Sequence, residues 1–291
     1  YYSFRLRGRY DVIIDSENGL PFFTPLYATE PVFLLIHHVH QEVFRKSLIP
    51  PFSWLAQFLE GKFMPLVYRK TQVITISPSS KAQIIAHKLT KRDPHIVYCG
   101  IDLTVCKPGK KSSFPHVLYL GRLTTAKSVN ILIKAVQNIH NKIPDLRVTI
   151  AGDGPNRSSL QKLTKTLGLD QVVTFTGKVT ESEKIKLYQS SWVFVNPSLI
   201  EGWGITTIEA NACGTPVVAS DVSGLRDAVH NHHSGLLVPY GDVDKFAASI
   251  TELLVDPAIR RRMSRESITW AKQFDWQNSA ESALSIIRKN I

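Results

Sequence analysis

The stretch SWVFVNPSLIEGWGITTIEANACGTPVVASD, residues 191–221, contains one complete strand–helix–strand unit. SWVFVNP and TPVVASD are short apolar runs bounded by polar residues or proline, which is typical of strands buried in a sheet. ITTIEANAC lies between them and is long enough for a helix of about two turns. Strands that alternate with helices in this way predict a parallel sheet covered by helices on both faces.

The same alternation runs from residue 116 to the end of the chain. Apolar residues recur at helical spacing between the strands, as Leu160, Leu163 and Leu167 do before a glycine that can end a helix. Thr180 and Glu183 have the spacing of a capping box. The further strands predicted here are HVLYLG (116–121), the start of LRVTIAGDGP (146–155) and VVTFTG (172–177), and the tail is predicted to be helical, with N-caps at Asp242, Asp256 and Asp275.

The first hundred residues follow this pattern less completely. A long helical zone, FSWLAQFLEGKFMPLVYRK (52–70), separates two predicted strands, and PSSKAQIIAHK (78–88) is predicted to form a short helix. Residues 99–111 contain glycine and proline and are the best candidate for a linker. The strands predicted in this part are YDVIID (10–15), PVFLLIH (31–37), QVITIS (72–77) and HIVYCG (95–100).

The composition excludes several classes of protein. The 291 residues are 43% apolar and 20% charged, which is ordinary for a globular protein, and their net charge is +11. No apolar run is long enough for a membrane span, the start lacks a secretory cleavage pattern, and three unpatterned cysteines favour a reducing, cytoplasmic compartment. The positive charge favours anionic partners, but no nucleic-acid motif gathers the basic residues, so we expect no nucleic acid.

Glycines and charged residues follow the strands of the second half, where each strand ends. They are Gly121 and Arg122, residues 152–155, Gly177 and residues 201–204. Ligands of open parallel sheets bind beyond the carboxyl ends of the strands. These four loops are therefore expected to share one rim and to form a binding site there.

The charges on this rim indicate the ligand. The helix that starts after Gly204 offers free N–H groups and a partial positive charge, which suit a phosphate. Arg122 and Lys127 add two cations fit for a diphosphate. Glu201 and Glu209 would repel a phosphate, whereas carboxylates accept hydrogen bonds from the vicinal hydroxyls of a sugar. Together the residues predict a nucleotide sugar.

Four segments of this rim resemble the donor-half motifs of the family 4 retaining glycosyltransferases, which have the two-domain GT-B fold. The match covers roughly residues 73–240, and the Glu-x7-Glu element with the strand that follows it is its most specific part. The four segments are GRLTTAK (121–127), AGDGP (151–155), FTGKV (175–179) and EGWGITTIEANACGTPVVAS (201–220).

The resemblance implies a domain organisation. Residues 1–104 would form an acceptor-side Rossmann-like domain and residues 105–274 a nucleotide-sugar-binding one, with helix 275–291 packing back on the first. The first strand and glycine-rich loop of such an N-terminal domain have no equivalent here, so we expect that domain to be incomplete.

The resemblance also implies roles for single residues. Arg122 and Lys127 would hold the donor diphosphate and stabilise its leaving charge. Glu201 would face the transferred sugar, and Glu209 would hydrogen-bond the ribose hydroxyls. The other implied donor contacts are Gly154, Gly204, Ile205, Thr206 and the nucleobase frame that runs from Phe175 to Val179.

The histidines of LIHHVHQE (35–42) resemble the family's acceptor-side histidine loop. His37 is the residue expected near the transferred sugar, with His38 as the alternative. The HHVH run also raises the possibility of a metal site. Because the two adjacent histidines would point to opposite sides of a strand, and no carboxylate or cysteine keeps ligand spacing with them, we expect no metal.

The implied reaction is the transfer of a hexosyl group with retention of configuration, without metal or cofactor. Its donor would be a UDP- or GDP-hexose, and its acceptor a sugar, a lipid-linked sugar or a polysaccharide. Residues 50–70 are apolar with basic ends, which suits either a core helix or a peripheral contact with an anionic membrane. A non-catalytic remnant that binds a nucleotide sugar or a protein partner is the alternative, because the N-terminal half is short.

Overall fold

A computed structural model of the chain describes residues 6–143 and 145–291, without the side chains of Lys46 and Ser47. The chain divides into two compact units. The first unit is Tyr1–Cys99 together with Gln277–Ile291, and the second unit is Gly100–Trp276. Residues 1–5 of the predicted N-terminal domain lie outside the described residues.

The first unit contains a parallel four-stranded sheet with the order β1-β2-β3-β4. A π-helical turn, Leu59–Phe63, joins two of its helices into one longer helical segment. Its strands are β1 (Ile13–Glu17), β2 (Val32–Ile36), β3 (Gln72–Thr75) and β4 (His95–Ile96), and its helices are α1 (Gln41–Ser47), α2 (Phe52–Phe58), α3 (Met64–Val67), α4 (Pro78–Ala86) and the last helix of the chain, α12 (Trp276–Asn290).

Alternating side chains of β2 cover both faces of this sheet. Leu34 and Ile36 point to one face and pack with Met64. Phe33 points to the other face, where it packs with Ile287 of α12. The helix at the end of the chain therefore covers one face of the first sheet.

The second unit contains a parallel six-stranded sheet with the order β10-β9-β8-β5-β6-β7. The strand order reverses between β8 and β5, and this is where ligands bind in doubly wound sheets. Its strands are β5 (His116–Leu120), β6 (Arg147–Ala151), β7 (Val173–Gly177), β8 (Val193–Asn196), β9 (Val217–Ser220) and β10 (Gly235–Val238). Its helices are α5 (Val129–Ile139), α6 (Arg157–Thr166), α7 (Glu181–Ser190), α8 (Ile205–Ala212), α9 (Leu225–Ala228), α10 (Val243–Val255) and α11 (Pro257–Ala271).

Local signals in the sequence set several helix ends of the second unit. Thr180 and Glu183 form the expected capping box at the start of α7. Asp242 and Asp256 accept backbone hydrogen bonds at the starts of α10 and α11. Gly168 follows the end of α6 with φ +69°, a conformation that favours glycine. The pairing of the strands and the helices between them confirm the predicted α/β class with parallel sheets.

Some elements differ from the sequence prediction. β1 spans Ile13–Glu17 rather than residues 10–15, and its pairing with β2 runs from Ile13, opposite Val32, to the buried Glu17, opposite Ile36. HIVYCG contributes only a two-residue strand. The histidines after β2 follow the strand end at Ile36, so they do not lie on a strand. β10 and α9 were not predicted.

β10 was not predicted because its apolar run is only three residues long, residues 236–238, and lies between a glycine and a proline. No helix within residues 6–143 and 145–291 is long and apolar enough to cross a bilayer.

Candidate functional site

A cavity of about 280 Å³ lies in the second unit, where the ends of β5 and β8 meet the start of α8. It is at the point where the strand order reverses. Six of the predicted site residues line it, namely Arg122, Lys127, Glu201, Gly204, Ile205 and Thr206. The structure therefore brings together the cationic, acidic and helix-start parts of the predicted rim.

An ion pair crosses this cavity. Lys127 Nζ lies 2.5 Å from Glu201 Oε1, and the two side chains are 26% and 15% exposed. Lys127 ends a short 3-10 turn after β5, whereas Glu201 belongs to the loop after β8. The pair thus joins loops from the two strands that flank the crevice.

Two residues that sequence reasoning missed orient the glutamate. The Ser198 hydroxyl lies 3.0 Å from Glu201 Oε1 and 2.7 Å from Asn196 Oδ1, so its single proton can serve either acceptor. Asn196 also lines the cavity. The signal that could have found them is the NPS run that begins with the last residue of a buried strand, at the edge of the sheet where ligands bind.

Tyr119 fixes the loop that carries the arginine. Its hydroxyl donates to the Arg122 carbonyl oxygen at 3.0 Å. Burial raises the pKa of Tyr119, and the negative charge of Glu201 adds to the rise. The phenol therefore stays neutral and remains a donor to the loop.

The loop geometry presents the start of α8 to the cavity. Gly204 precedes the helix with φ +83°, and a Cβ there would lie 2.7 Å from a Leu225 side-chain atom. Ile205 and Thr206 are in the first turn, where helix N–H groups lack acceptors within the helix. These amides are suited to bind an anion.

The loops after β5 and β6 are packed too closely for side chains. Gly152 has φ +131°, and a Cβ there would lie 1.9 Å from the Gly121 carbonyl oxygen. A Cβ on Gly154 would lie 2.4 Å from the Leu123 carbonyl oxygen. Gly154, a predicted donor contact, is therefore required for loop packing, and it is not among the residues that line the cavity.

Glu209 has close partners on the neighbouring helix. Its Oε1 accepts from Lys184 Nζ at 2.9 Å, and its Oε2 accepts from the Tyr188 hydroxyl at 3.0 Å. Burial lowers the pKa of Lys184, but the contacts with Glu181 and Glu209 outweigh this and raise it. Both oxygens of the Glu209 carboxylate are thus held by α7, outside the lining of the cavity.

The remaining predicted residues also lie outside that lining. Phe175, on β7, packs against the hydrophobic core of the second unit. Val179 follows β7 in the loop that leads to α7. His37 belongs to the first unit, where its carbonyl oxygen accepts from the Ser80 hydroxyl at 2.9 Å.

The chain is similar to one protein family and to several curated relatives. The family model described as glycosyl transferases group 1 matches residues 103–270. The D-inositol 3-phosphate glycosyltransferase of Arthrobacter sp. (strain FB24) is 34% identical, over 74% of this chain and 54% of that protein. The enzyme of the same description from Paenarthrobacter aurescens (strain TC1) is 30% identical, over 99% of this chain and 74% of that protein. The chain spans about half the length of most of the curated relatives that we compared.

Solved structures share the fold at low identity. Sucrose-phosphate synthase from Thermosynechococcus elongatus superposes with a TM-score of 0.84 at 24% identity, over 99% of this chain and 75% of that one. HepE of Anabaena, in complex with UDP-glucose, gives a TM-score of 0.75 at 20% identity, over 96% and 79% of the two chains. The fold is the GT-B fold that the motifs implied, and the chain belongs to the family of glycosyl transferases group 1.

Proposed function

We propose that this chain transfers a hexosyl group from a nucleotide-diphosphate sugar to a hydroxyl acceptor, with retention of configuration and without a metal ion in the transfer step. The observation that carries the proposal is the Lys127–Glu201 pair in the cavity, with Arg122 and the start of α8 beside it. Family membership supports an enzyme rather than a non-catalytic remnant.

In this proposal the cationic side of the cavity binds the diphosphate. Arg122 and Lys127 supply two positive charges, and the amides of Ile205 and Thr206 supply N–H donors. These groups bind the leaving diphosphate more strongly as its charge grows in the transition state, which is how they lower the barrier. Two side-chain cations do the work that a metal ion does at other diphosphate sites.

In this proposal Glu201 acts on the sugar. When the bond from the anomeric carbon to the diphosphate breaks, positive charge develops on the sugar, and a carboxylate stabilises it. The acceptor oxygen then bonds to that carbon on the same face, and its proton passes to an oxygen of the leaving diphosphate. Ser198 keeps Glu201 oriented for this role.

Two further roles remain predictions from the sequence. Glu209 would hydrogen-bond the ribose, with its carboxylate held in place by Lys184 and Tyr188. His37 of the first unit would contact the transferred sugar. UDP-glucose is the first donor to test, because the HepE structure contains it, and inositol phosphates are the first acceptors, because the relatives are described as inositol 3-phosphate glycosyltransferases.

We also propose a peripheral contact with an anionic membrane through α2 and α3. The apolar side chains of Trp54, Leu55, Phe58 and Leu66 on this segment are 66%, 55%, 55% and 62% exposed. Exposed basic residues, Lys62, Arg69 and Lys70, lie within or directly after the segment. An apolar face with basic flanks suits the surface of an anionic bilayer.

Vesicle flotation tests this contact. We expect the chain to float with vesicles of anionic lipid and not with neutral ones, and the Trp54→Ser, Phe58→Ser double variant to lose flotation. Val255→Ser, which changes an exposed apolar residue of the second unit, is the matched control. Equal flotation of the double variant and the control would contradict the proposal.

Turnover tests the main proposal. The chain is incubated with UDP- and GDP-hexoses, with and without acceptors and with a chelator present, and release of nucleoside diphosphate is followed. NMR coupling constants of the product then give the anomeric configuration. Retention, with activity unchanged by the chelator, is the expected result. A folded chain that neither binds nor turns over any nucleotide sugar would overturn it.

A further inference from the structure

Three buried residues of the first unit converge on one point. Glu17 ends β1, His40 immediately precedes α1, and Glu60 lies in the π-helical turn. His40 Nδ1 is 3.1 Å from Glu17 Oε1 and 3.6 Å from Glu60 Oε1. One ligand-type atom from each of the three residues lies within 4.8 Å of the other two.

The cluster leaves polar atoms without hydrogen bonds. Among the described residues, none makes a hydrogen bond with Glu17 Oε2, and His40 Nδ1 faces the Glu17 and Glu60 carboxylate oxygens in ion-pair contacts that lack hydrogen-bond geometry. Both glutamates are fully buried, and the side chain of His40 is only 9% exposed. Because buried polar atoms are almost always satisfied, an unpartnered carboxylate oxygen within this buried cluster indicates a missing partner.

The distances match those of a metal site. Two ligands at about 2.05 Å from a tetrahedral Zn²⁺ are separated by about 3.4 Å. The two separations from His40 Nδ1 are 3.1 Å and 3.6 Å, on either side of that value. Imidazole nitrogen with carboxylate oxygens is a ligand set that Zn²⁺ accepts.

The surrounding groups fix the carboxylates, as outer groups do around metal ligands. Glu17 Oε1 accepts from the Gly19 amide at 2.7 Å. Glu60 accepts from the His40 amide and from the Gln41 side chain, both at 2.6 Å. The π-helical turn that carries Glu60 is a rare irregularity, and such turns occur frequently at functional sites.

Charge also favours a cation here. Two carboxylates are buried together, and a divalent cation would neutralise both. The alternative is a proton on the imidazole, which balances one of them. Burial lowers the pKa of His40, and the contacts with Glu17 and Glu60 outweigh this and raise it to about 9. A metal and a proton are therefore rival occupants of one site, and an experiment can distinguish them.

We propose that Glu17, His40 and Glu60 bind a divalent cation, with Zn²⁺ as the best match, and that this ion ties together β1, the start of α1 and the π-helical turn. No step of the proposed transfer passes through this ion.

The test uses the full chain without a histidine tag, first treated with a chelator and then titrated with Zn²⁺ by calorimetry. We expect one high-affinity ion per chain and a rise of several degrees in the melting temperature. Glu17→Gln and Glu60→Gln keep the side-chain shape, and we expect each to weaken Zn²⁺ binding by at least about tenfold. Glu42→Gln, in the exposed first turn of α1, is the matched control and should bind like the wild type.

X-ray absorption of the loaded wild type identifies the ligands even if a variant fails to fold. We expect nitrogen and oxygen neighbours at about 2.0–2.1 Å and no sulfur at about 2.3 Å. Sulfur neighbours would assign the ion to the cysteines and overturn the proposal. A folded wild type that binds no Zn²⁺, or glutamine variants that bind it like the Glu42→Gln control, would overturn the proposal.

Discussion

Lys127 Nζ and Glu201 Oε1 lie 2.5 Å apart, so the cation expected to bind the donor diphosphate is a direct partner of the carboxylate expected to face the sugar. Any diphosphate that recruits Lys127 must compete with Glu201 for it. Glu201 is therefore expected to weaken diphosphate binding and to favour catalysis, and one substitution of this residue can separate the two effects.

Glu201→Gln should separate the two effects. Without the carboxylate charge, Lys127 is free for the diphosphate, so we expect UDP binding to be unchanged or up to about tenfold tighter. The sugar loses its stabilising charge, so we expect turnover to fall about 100–1000-fold. Calorimetry measures UDP binding, and initial rates measure turnover. Glu252→Gln, which changes an exposed glutamate, is the control. Weaker UDP binding with normal turnover would refute both roles.

Arg122→Ala should weaken donor binding through the diphosphate alone. Loss of a charge-assisted contact is expected to reduce UDP affinity about 10–100-fold, with a much smaller effect on uridine. Arg265→Ala removes an exposed arginine of the same unit and serves as the control. If both variants bind UDP equally well, Arg122 does not contact the diphosphate.

Glu209→Gln tests whether a glutamate held by Lys184 and Tyr188 also binds ribose. If it does, the wild type should prefer UDP to its 2′,3′-dideoxy analogue, and the variant should lose about 1–2 kcal/mol of that preference. Tyr188→Phe keeps the carboxylate but removes one of its donors, so it should retain most of the preference. An unchanged preference in Glu209→Gln would leave this residue with a structural role.

His116 should make the second unit sensitive to acid. Burial lowers its pKa from 6.5 to about 4, with further lowering by Arg147 and Lys111. The unfolded chain therefore binds a proton between pH 6.5 and 4 that the folded chain does not, and stability falls as pH drops through this range. Between pH 7.5 and 5 we expect a loss of about 2 kcal/mol from this residue.

Urea unfolding at the two pH values measures this loss. His116→Gln should reduce the difference between them by about that amount, whereas His140→Gln, in the 3-10 turn after α5, should leave it unchanged. The same pH difference in both variants would show that another group is responsible.

Five of the six strands of the second sheet could be predicted from the sequence, because each is a short and mainly apolar run followed by glycine or a polar residue. Six of the residues that line the cavity could be predicted in the same way, since Arg122 and Glu201 follow the ends of predicted strands. Spacing along the chain was thus sufficient to predict a site residue where the residue and the strand end that positions it belong to the same segment.

Local spacing was insufficient where distant segments meet. Glu17 and Glu60 are 23 and 20 residues away from His40 in the chain, so no ligand spacing could indicate their cluster. The partners of Glu209 could not be predicted either, because Lys184 and Tyr188 come from a helix whose rotation about its axis depends on packing. Sequence patterns define which face of an element is apolar, whereas pairing of polar groups requires the packed structure.

The close approach of two loops at the cavity gives a last prediction, for stability. Gly152 and Gly168 both have positive φ, at +131° and +69°, so alanine is strained at either position. A Cβ at Gly168 meets nothing within 4 Å, whereas one at Gly152 would lie 1.9 Å from the Gly121 carbonyl oxygen.

We expect Gly168→Ala to lower the free energy of unfolding by about 1 kcal/mol, from the backbone conformation alone. Gly152→Ala should cost at least about 3 kcal/mol, because the loops after β5 and β6 must also separate. That separation would move Arg122, so UDP affinity should fall in Gly152→Ala and stay normal in Gly168→Ala. Equal losses of stability in urea unfolding would show that this close contact is not tight in solution.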